Sequence, residues 1–259
     1  MRLILIFIAF ILISQPSTAA IISDSIEYKH GDVMLKGFLL YDGILKSKRP
    51  GLLLIPTSQG HTDFIKQRST ELAELGYIVF VADVIGPVNK QLNLQEAEEA
   101  VNYLYEDRSL MRERANEGLS ILRQQKNIDE SKLGCVGFDF GGTVALELAR
   151  SGAPMSCFIS FYGRLDGPPD AMVVNQIRGS ILLLQGADDP RIPDEQLINF
   201  EEEMRNAGAD WQMNVYGNAV HGFSNPDFGF EIENGIAYNY KADKRSWEAL
   251  KIFLREHLR

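Results

Sequence analysis

One short stretch, Gly137 to Gly142 (Gly-Phe-Asp-Phe-Gly-Gly), restricts what this chain can fold into more than any other. The run before it, Leu133 to Phe138, is apolar and reads as a buried parallel strand; the run after it, Thr143 to Arg150, reads as a helix. Joining the two over so few residues requires a sharp turn. Small residues two places before and two places after the centre let the backbone fold that tightly, and the central side chain is then pushed out at the top of a sheet. Here that side chain is Asp139. Turns of this form usually present Ser or Cys, and no other Gly-x-Ser-x-Gly or Gly-x-Cys-x-Gly occurs in the chain. Whatever the protein does turns on a carboxylate standing where a nucleophile is expected.

The rest of the chain supplies a frame for such a turn. Ser25 to His30 and Val33 to Tyr41 alternate apolar and polar residues around Gly31-Asp32 and predict an antiparallel hairpin. Gly51 to Pro56, a helix over Thr62 to Leu75 with Gly76 as its stop, and Tyr77 to Ala82 predict one βαβ unit. A looser stretch, Val84 to Asn93, leads to helices from about Leu94 and over Ser109 to Gln125, which read as scaffold, not site. Strands follow at Met155 to Tyr162, Ser180 to Gln185 and Asp210 to Tyr216, with helices at Asp194 to Ala207 and Lys241 to His257. Alternating strands and helices imply an α/β domain with a doubly wound, mostly parallel sheet and its site at the carboxyl ends of the strands. The short connection between Tyr162 and Ser180 leaves no room for a cap domain.

At 259 residues and 45% hydrophobic content the chain suits one large domain, expected over residues 21–259. Residues 1–20 have the order of a secretory signal: Arg2, the apolar run Leu3 to Ile13, then small residues through Ala19-Ala20. The apolar run is shorter than the ~20 residues a spanning helix needs. Localisation is therefore expected to be periplasmic or secreted, with no membrane association after cleavage. Removing Arg2 takes the formal charge from −9 to −10, which argues against nucleic acid or an anionic membrane as partner. Cys135 and Cys157 fall in core strands and read as buried free thiols.

Three residues recur in the chain order nucleophile, acid, histidine. Asp139 sits at the elbow, Asp189 follows the strand ending at Gln185, and His221 follows the last strand. That order belongs to α/β-hydrolases, in which a carboxylate orients the imidazole and the imidazole moves a proton. Asp188, next to Asp189, reads as a turn residue. His30 and His257 read as solvated, and His61 as shaping the start of its helix.

The stretches Arg68 to Tyr77, Gly141 to Gly152, Gly186 to Pro193, Val215 to Phe223 and Ala237 to Trp247 together resemble the dienelactone hydrolase family, across nearly all of the chain after the leader. The resemblance implies an α/β-hydrolase fold, Asp189 as the acid, His221 as the base, and the backbone N–H groups of Phe140 and Ser58 as oxyanion donors. Thr57 and Tyr162 are candidate substrate-binding positions. The family carries cysteine at Asp139 and a glutamate contacting that cysteine at Thr57, so both members of one interacting pair differ here. Arginines that grip the dienelactone carboxylate in the family align with Pro87 and Asn225, which makes dienelactone itself a poor substrate.

A carboxylate attacks an ester carbonyl poorly but attacks saturated carbon well. The elbow resembles the Gly-x-Asp-Trp-Gly-Gly surroundings in which haloalkane dehalogenases and epoxide hydrolases form an alkyl ester on aspartate. Three readings follow: a hydrolase of a small ester-, lactone- or halide-like substrate working through Asp139; direct attack by a water that Asp139 or His221 activates; and a retired site that binds a small ligand without turnover. Each takes a small molecule as its partner. No metal-ligand spacing, phosphate loop or dinucleotide fingerprint occurs, so no metal or cofactor is implied. Amino-terminal sequencing of secreted protein is expected to begin at Ala20 or Ile21; intact Met1-Arg2 on protein from the cytoplasmic fraction would contradict this.

Overall fold

The computed structural model describes residues 20–44, 47–86, 93–167 and 176–259. The leader and Pro87 lie outside them. Eight strands form a single sheet in the order β1-β2-β4-β3-β5-β6-β7-β8. The strands β1 (Ile21–His30) and β2 (Val33–Asp42) form the expected hairpin, and β2 pairs antiparallel with β4 (Ile78–Val81). From β4 onward every pairing is parallel, through β3 (Arg49–Ile55), β5 (Ile128–Phe138), β6 (Cys157–Phe161), β7 (Ser180–Gly186) and β8 (Trp211–Tyr216). The first crossover, β3 to β4, runs one way along the sheet, and the next, β4 to β5, returns to the other side of β3. That reversal opens a crevice between β3 and β5 at their carboxyl ends.

Continuous apolar runs in the central strands are explained by burial on both faces. Leu52 and Leu54 of β3 face α1 (Asp63–Glu74) and α6 (Tyr240–Leu258), where they meet Ile65, Leu72, Leu250 and Leu254. Leu53 and Ile55 face the other layer, formed by α2 (Leu94–Glu106), α3 (Arg108–Arg123), α4 (Phe140–Arg150) and α5 (Asp194–Ala207). Side chains capping the helices fix where they start: Thr62 accepts the Ile65 N–H, Asp107 that of Leu110, and Asn239 those of Lys241 and Ala242. Cys135 and Cys157 are buried free thiols on opposite faces of the sheet.

Two buried charge clusters, one on each face of the sheet, tie the helices of their layer together. Arg68 of α1 is paired with Asp243 of α6, bonds the Ser224 carbonyl at 3.1 Å and stacks on Trp247 at 4.7 Å. It thereby fixes the loop after β8 to both helices. On the opposite face Glu147 of α4, with no side-chain exposure, meets Arg112 at 2.8 Å and Arg150 at 3.1 Å, and Arg150 reaches Glu203 of α5 at 2.7 Å. A buried charge that loses its partner is costly. Glu147→Gln is expected to lower the unfolding free energy by about 3 kcal/mol, read from urea denaturation near neutral pH; an unchanged midpoint would show that the cluster adds nothing to stability.

Candidate active site

The elbow forms because its glycines leave room for backbone alone. A Cβ on Gly137 would overlap the Gly141 backbone, and one on Gly141 would overlap the carbonyls of Ile55 and Pro56. The turn forces Asp139 to φ 54° and ψ −117°, a region that costs a non-glycine residue about 1–3 kcal/mol. Tyr162, after β6, is also left-handed at φ 40°. Both strained residues adjoin one histidine.

The structure brings Asp139, Asp189 and His221 together from the ends of β5, β7 and β8. His221 Nδ1 lies 2.9 Å from Asp189 Oδ2 and Nε2 lies 3.1 Å from Asp139 Oδ1. The second oxygen of Asp189 accepts the Arg191 N–H at 2.9 Å, so both its oxygens are engaged. Asp188 is exposed at the turn, two residues before Pro190. Tyr162 packs edge-on against the imidazole with ring centroids 5.3 Å apart, and its hydroxyl meets Ser224 Oγ at 2.9 Å.

The expected oxyanion donors converge on the elbow's own carboxylate. Asp139 Oδ2 accepts the Ser58 N–H at 3.2 Å and the Ser58 hydroxyl at 3.0 Å, and the Phe140 N–H also bonds this carboxylate. Burial by itself would raise the Asp139 pKa, but His221 and these backbone donors outweigh it and bring the group down to about 2. Burial would likewise depress His221, yet Asp139 and Asp189 on either side raise it to about 9. The resting arrangement near neutral pH is an imidazolium held between two carboxylates.

A cleft of about 300 Å³ opens over Asp139, Ser58 and His221. Its far wall includes Glu98, Asn102 and Tyr105 of α2, together with Arg164 and Arg191. The helix read from sequence as scaffold is therefore part of the site, a correction with a simple cause: α2 packs by its apolar face against α3, and which way its remaining face points depends on that packing. Arg191 and Glu98 pair at 2.6 Å across the mouth. Tyr105 lies against the guanidinium groups of Arg164 at 4.6 Å and Arg108 at 5.1 Å, and burial, then the Asp139 charge, hold its phenol well above the usual range. Nothing in the residue pattern of α2 marks Tyr105; only Arg191 stood in a stretch already singled out.

Two candidate substrate contacts do not line this cleft. Thr57 is buried behind it with its hydroxyl unpartnered, and Tyr162 is a buttress for His221. Asn225 is buried and spends its side chain on the N–H of Asp227 at 3.0 Å. Among the described residues no group of three His, Cys, Asp or Glu is placed to hold a metal, and no helix is long and apolar enough to cross a membrane.

Residues 40–258 match the dienelactone hydrolase family model. A Bradyrhizobium protein named as a probable 2-oxo-3-(5-oxofuran-2-ylidene)propanoate lactonase is 27% identical over 226 residues, spanning 83% of this chain and 87% of its own. The crystal structure of a dienelactone hydrolase-like promiscuous phosphotriesterase from metagenomic libraries superposes with a TM-score of 0.87 at 34% identity, covering 93% of this chain and all of that one. The dienelactone hydrolase of Anabaena variabilis shares the fold, with a TM-score of 0.64 at 18% identity over 92% of this chain and 99% of its own. With its crossover order, its strained elbow and this match over nearly the whole described chain, the protein belongs to the dienelactone hydrolase family and has the α/β-hydrolase fold.

Proposed function

We infer that this member of the family is a hydrolase whose nucleophile is Asp139, acting on a small molecule with a leaving group on saturated carbon. The observation that carries the reading is the division of labour between the carboxylate oxygens. Oδ2 accepts from the Ser58 N–H and hydroxyl, while Oδ1 faces His221 Nε2. An external ester carbonyl finds those donors already taken, which disfavours direct water attack on a bound ester. An ester formed on Asp139 itself has its carbonyl oxygen, Oδ2, in place from the start.

The steps balance. Oδ1 displaces X⁻ from R–X, giving the aspartyl ester and free X⁻. Tyr105, kept protonated by burial, lines the same cleft and is the donor we assign to the departing group. Ester formation removes the Asp139 charge, one of the two that hold the imidazolium proton. His221 then reverts toward its lower, burial-dominated value and becomes a base. The proton His221 sheds passes to solvent. Water then adds to the aspartyl carbonyl carbon as His221 takes its proton, and collapse expels RO⁻, which receives that proton as ROH. The second proton of the water passes from the Asp139 carboxyl to His221, restoring the resting imidazolium, so that the sum is R–X + H₂O → R–OH + X⁻ + H⁺. The first step therefore arms the second.

A second reading, a retired site that binds without turnover, draws on the same closure: the triad is a complete ion network in which the oxyanion donors and both imidazole nitrogens are already partnered. The leader-like first twenty residues support a periplasmic or secreted setting for either reading. Substrates worth presenting are haloalkanes, haloacids, epoxides, lactones and, given the activities named for the two relatives, activated phosphotriesters.

Single turnover in H₂¹⁸O separates the readings. The label is expected in the Asp139 carboxylate, read by peptide mass, and not in the first-turnover alcohol; Asp139→Asn is expected to lose at least about a hundredfold in rate. Label in the alcohol from the outset would exclude the aspartyl ester, and no turnover with any member of the panel would favour the binding protein.

The resting imidazole of His221 is expected to titrate near 9 by NMR. Since His221 is raised from 6.5 and Asp139 lowered from 3.8 to about 2, the ion triad contributes its full stability between 3.8 and 6.5, loses it as pH rises through about 9 and loses it again as pH falls through about 2. Hydrolysis of an accumulated ester, in contrast, is expected to gain rate with pH and level off well below 9. Titration at the ordinary imidazole value in the resting protein would remove the triad as described.

A further inference from the structure

Two guanidinium groups line the cleft over Asp139, those of Arg164 and Arg191, and they are held differently. Arg164 turns a fork onto Asp166, Nε to one oxygen at 3.0 Å and Nη2 to the other at 3.2 Å, the arrangement a guanidinium and a carboxylate prefer. Arg191 Nη1 lies 2.6 Å from Glu98 Oε1, but that oxygen is buried and completes no hydrogen bond. The pair is close and misaligned.

The Arg191 and Glu98 side chains keep 34% and 38% of their surface exposed, so theirs is a partly solvated ion pair of small worth that gives way to a better-aligned carboxylate. The backbone of Arg191 is fixed nonetheless, its N–H donating to Asp189 Oδ1 at 2.9 Å. One residue thus completes the bonding of the triad's acid and carries a positive charge to the cleft. An anionic nucleophile repels an anionic substrate unless a cation stands beside the substrate's charge, and here that cation is present. At about 300 Å³ the cleft is at the small end of ligand sites. Arg191 also stands in a different loop from Pro87 and Asn225, the positions that align with the family's carboxylate-gripping arginines, so this grip is distinct from theirs.

We propose that the cleft selects small organic acids, the substrate carboxylate taking the place of Glu98 on Arg191 while the carbon that bears the leaving group faces Asp139. The turnover half of this assignment rests on Asp139 as the nucleophile; the carboxylate site does not. With 2-chloropropionate, the simplest case, Oδ1 displaces chloride from the second carbon, and hydrolysis of the resulting ester gives 2-hydroxypropionate, chloride and a proton.

Propionate and propionamide, alike in shape and unlike in charge, are the probes, each titrated into the protein at low salt and followed by NMR. Propionate is expected to bind about tenfold more tightly, and Arg191→Gln to remove most of that preference. Glu98→Gln breaks the same ion pair but frees the guanidinium; it is expected to tighten propionate binding about threefold, a direction that a merely structural salt bridge does not produce. In turnover, the ratio of kcat/KM for 2-chloropropionate and 4-chlorobutyrate to that for 1-chlorobutane is expected to fall about tenfold in Arg191→Gln. Carboxylate-selective binding without turnover of any of the three would remove Asp139 as nucleophile and leave the carboxylate site standing. Equal affinity for the two probes, no saturation by propionate, a preference that survives Arg191→Gln, or weaker propionate binding in Glu98→Gln overturns the proposal.

Discussion

A carboxylate at the tip of this elbow is largely buried, strained in its backbone and within reach of another carboxylate through a shared histidine. Each of these is unfavourable alone, and the arrangement persists because donors surround the charge: Ser58 through two groups, the first N–H of α4, and the His221 imidazolium. The positive end of α4 adds to them. His221 in turn keeps its proton because Asp139 and Asp189 hold its two nitrogens. Removing any one partner changes the charge state of the others, which is why the three residues behave as one titrating unit and not as three.

That coupling has a structural foundation away from the chemistry. His221 is placed by a loop held between two helices, through Arg68 against Asp243, the Ser224 carbonyl and the Trp247 ring. Tyr162 reaches the same loop through Ser224 and presses its ring against the imidazole. The segments around Arg68 and Asp243 carried much of the resemblance to the family, and the structure gives them a physical role as the clamp on the histidine. On the opposite layer the cluster around Glu147 and Arg150 joins α3, α4 and α5, so the helix whose amino end faces Asp139 is itself anchored by charge.

Substitution of an acidic residue for a nucleophilic thiol also changes what the oxyanion donors serve. A thiolate leaves them open to a substrate carbonyl. A carboxylate brings its own second oxygen and occupies them. On the reading proposed above, the same donors serve a tetrahedral centre built on Asp139 itself, and the chemistry that suits them is displacement at a centre that a carboxylate can attack.

Much of this was legible in the sequence because it rests on local rules. Glycines at Gly137 and Gly141 dictate the elbow, apolar runs bounded by turn residues dictate the strands, and the chain order of Asp139, Asp189 and His221 anticipates three loops at one edge of the sheet. The helix Asp194–Ala207 and the start of the helix at Leu94 could be read from the sequence. What could not be read is direction and encounter: that α2 turns Glu98, Asn102 and Tyr105 over the elbow, that Arg164 and Arg191 complete the cleft, and that Asp139 takes the oxyanion donors for itself. Periodicity fixes which residues share a face, but the face that meets the site is chosen by packing between residues far apart in the chain. The charge states of Asp139 and His221 depend on distances of about 3 Å across loops from different strands, and those distances exist only once the sheet has assembled.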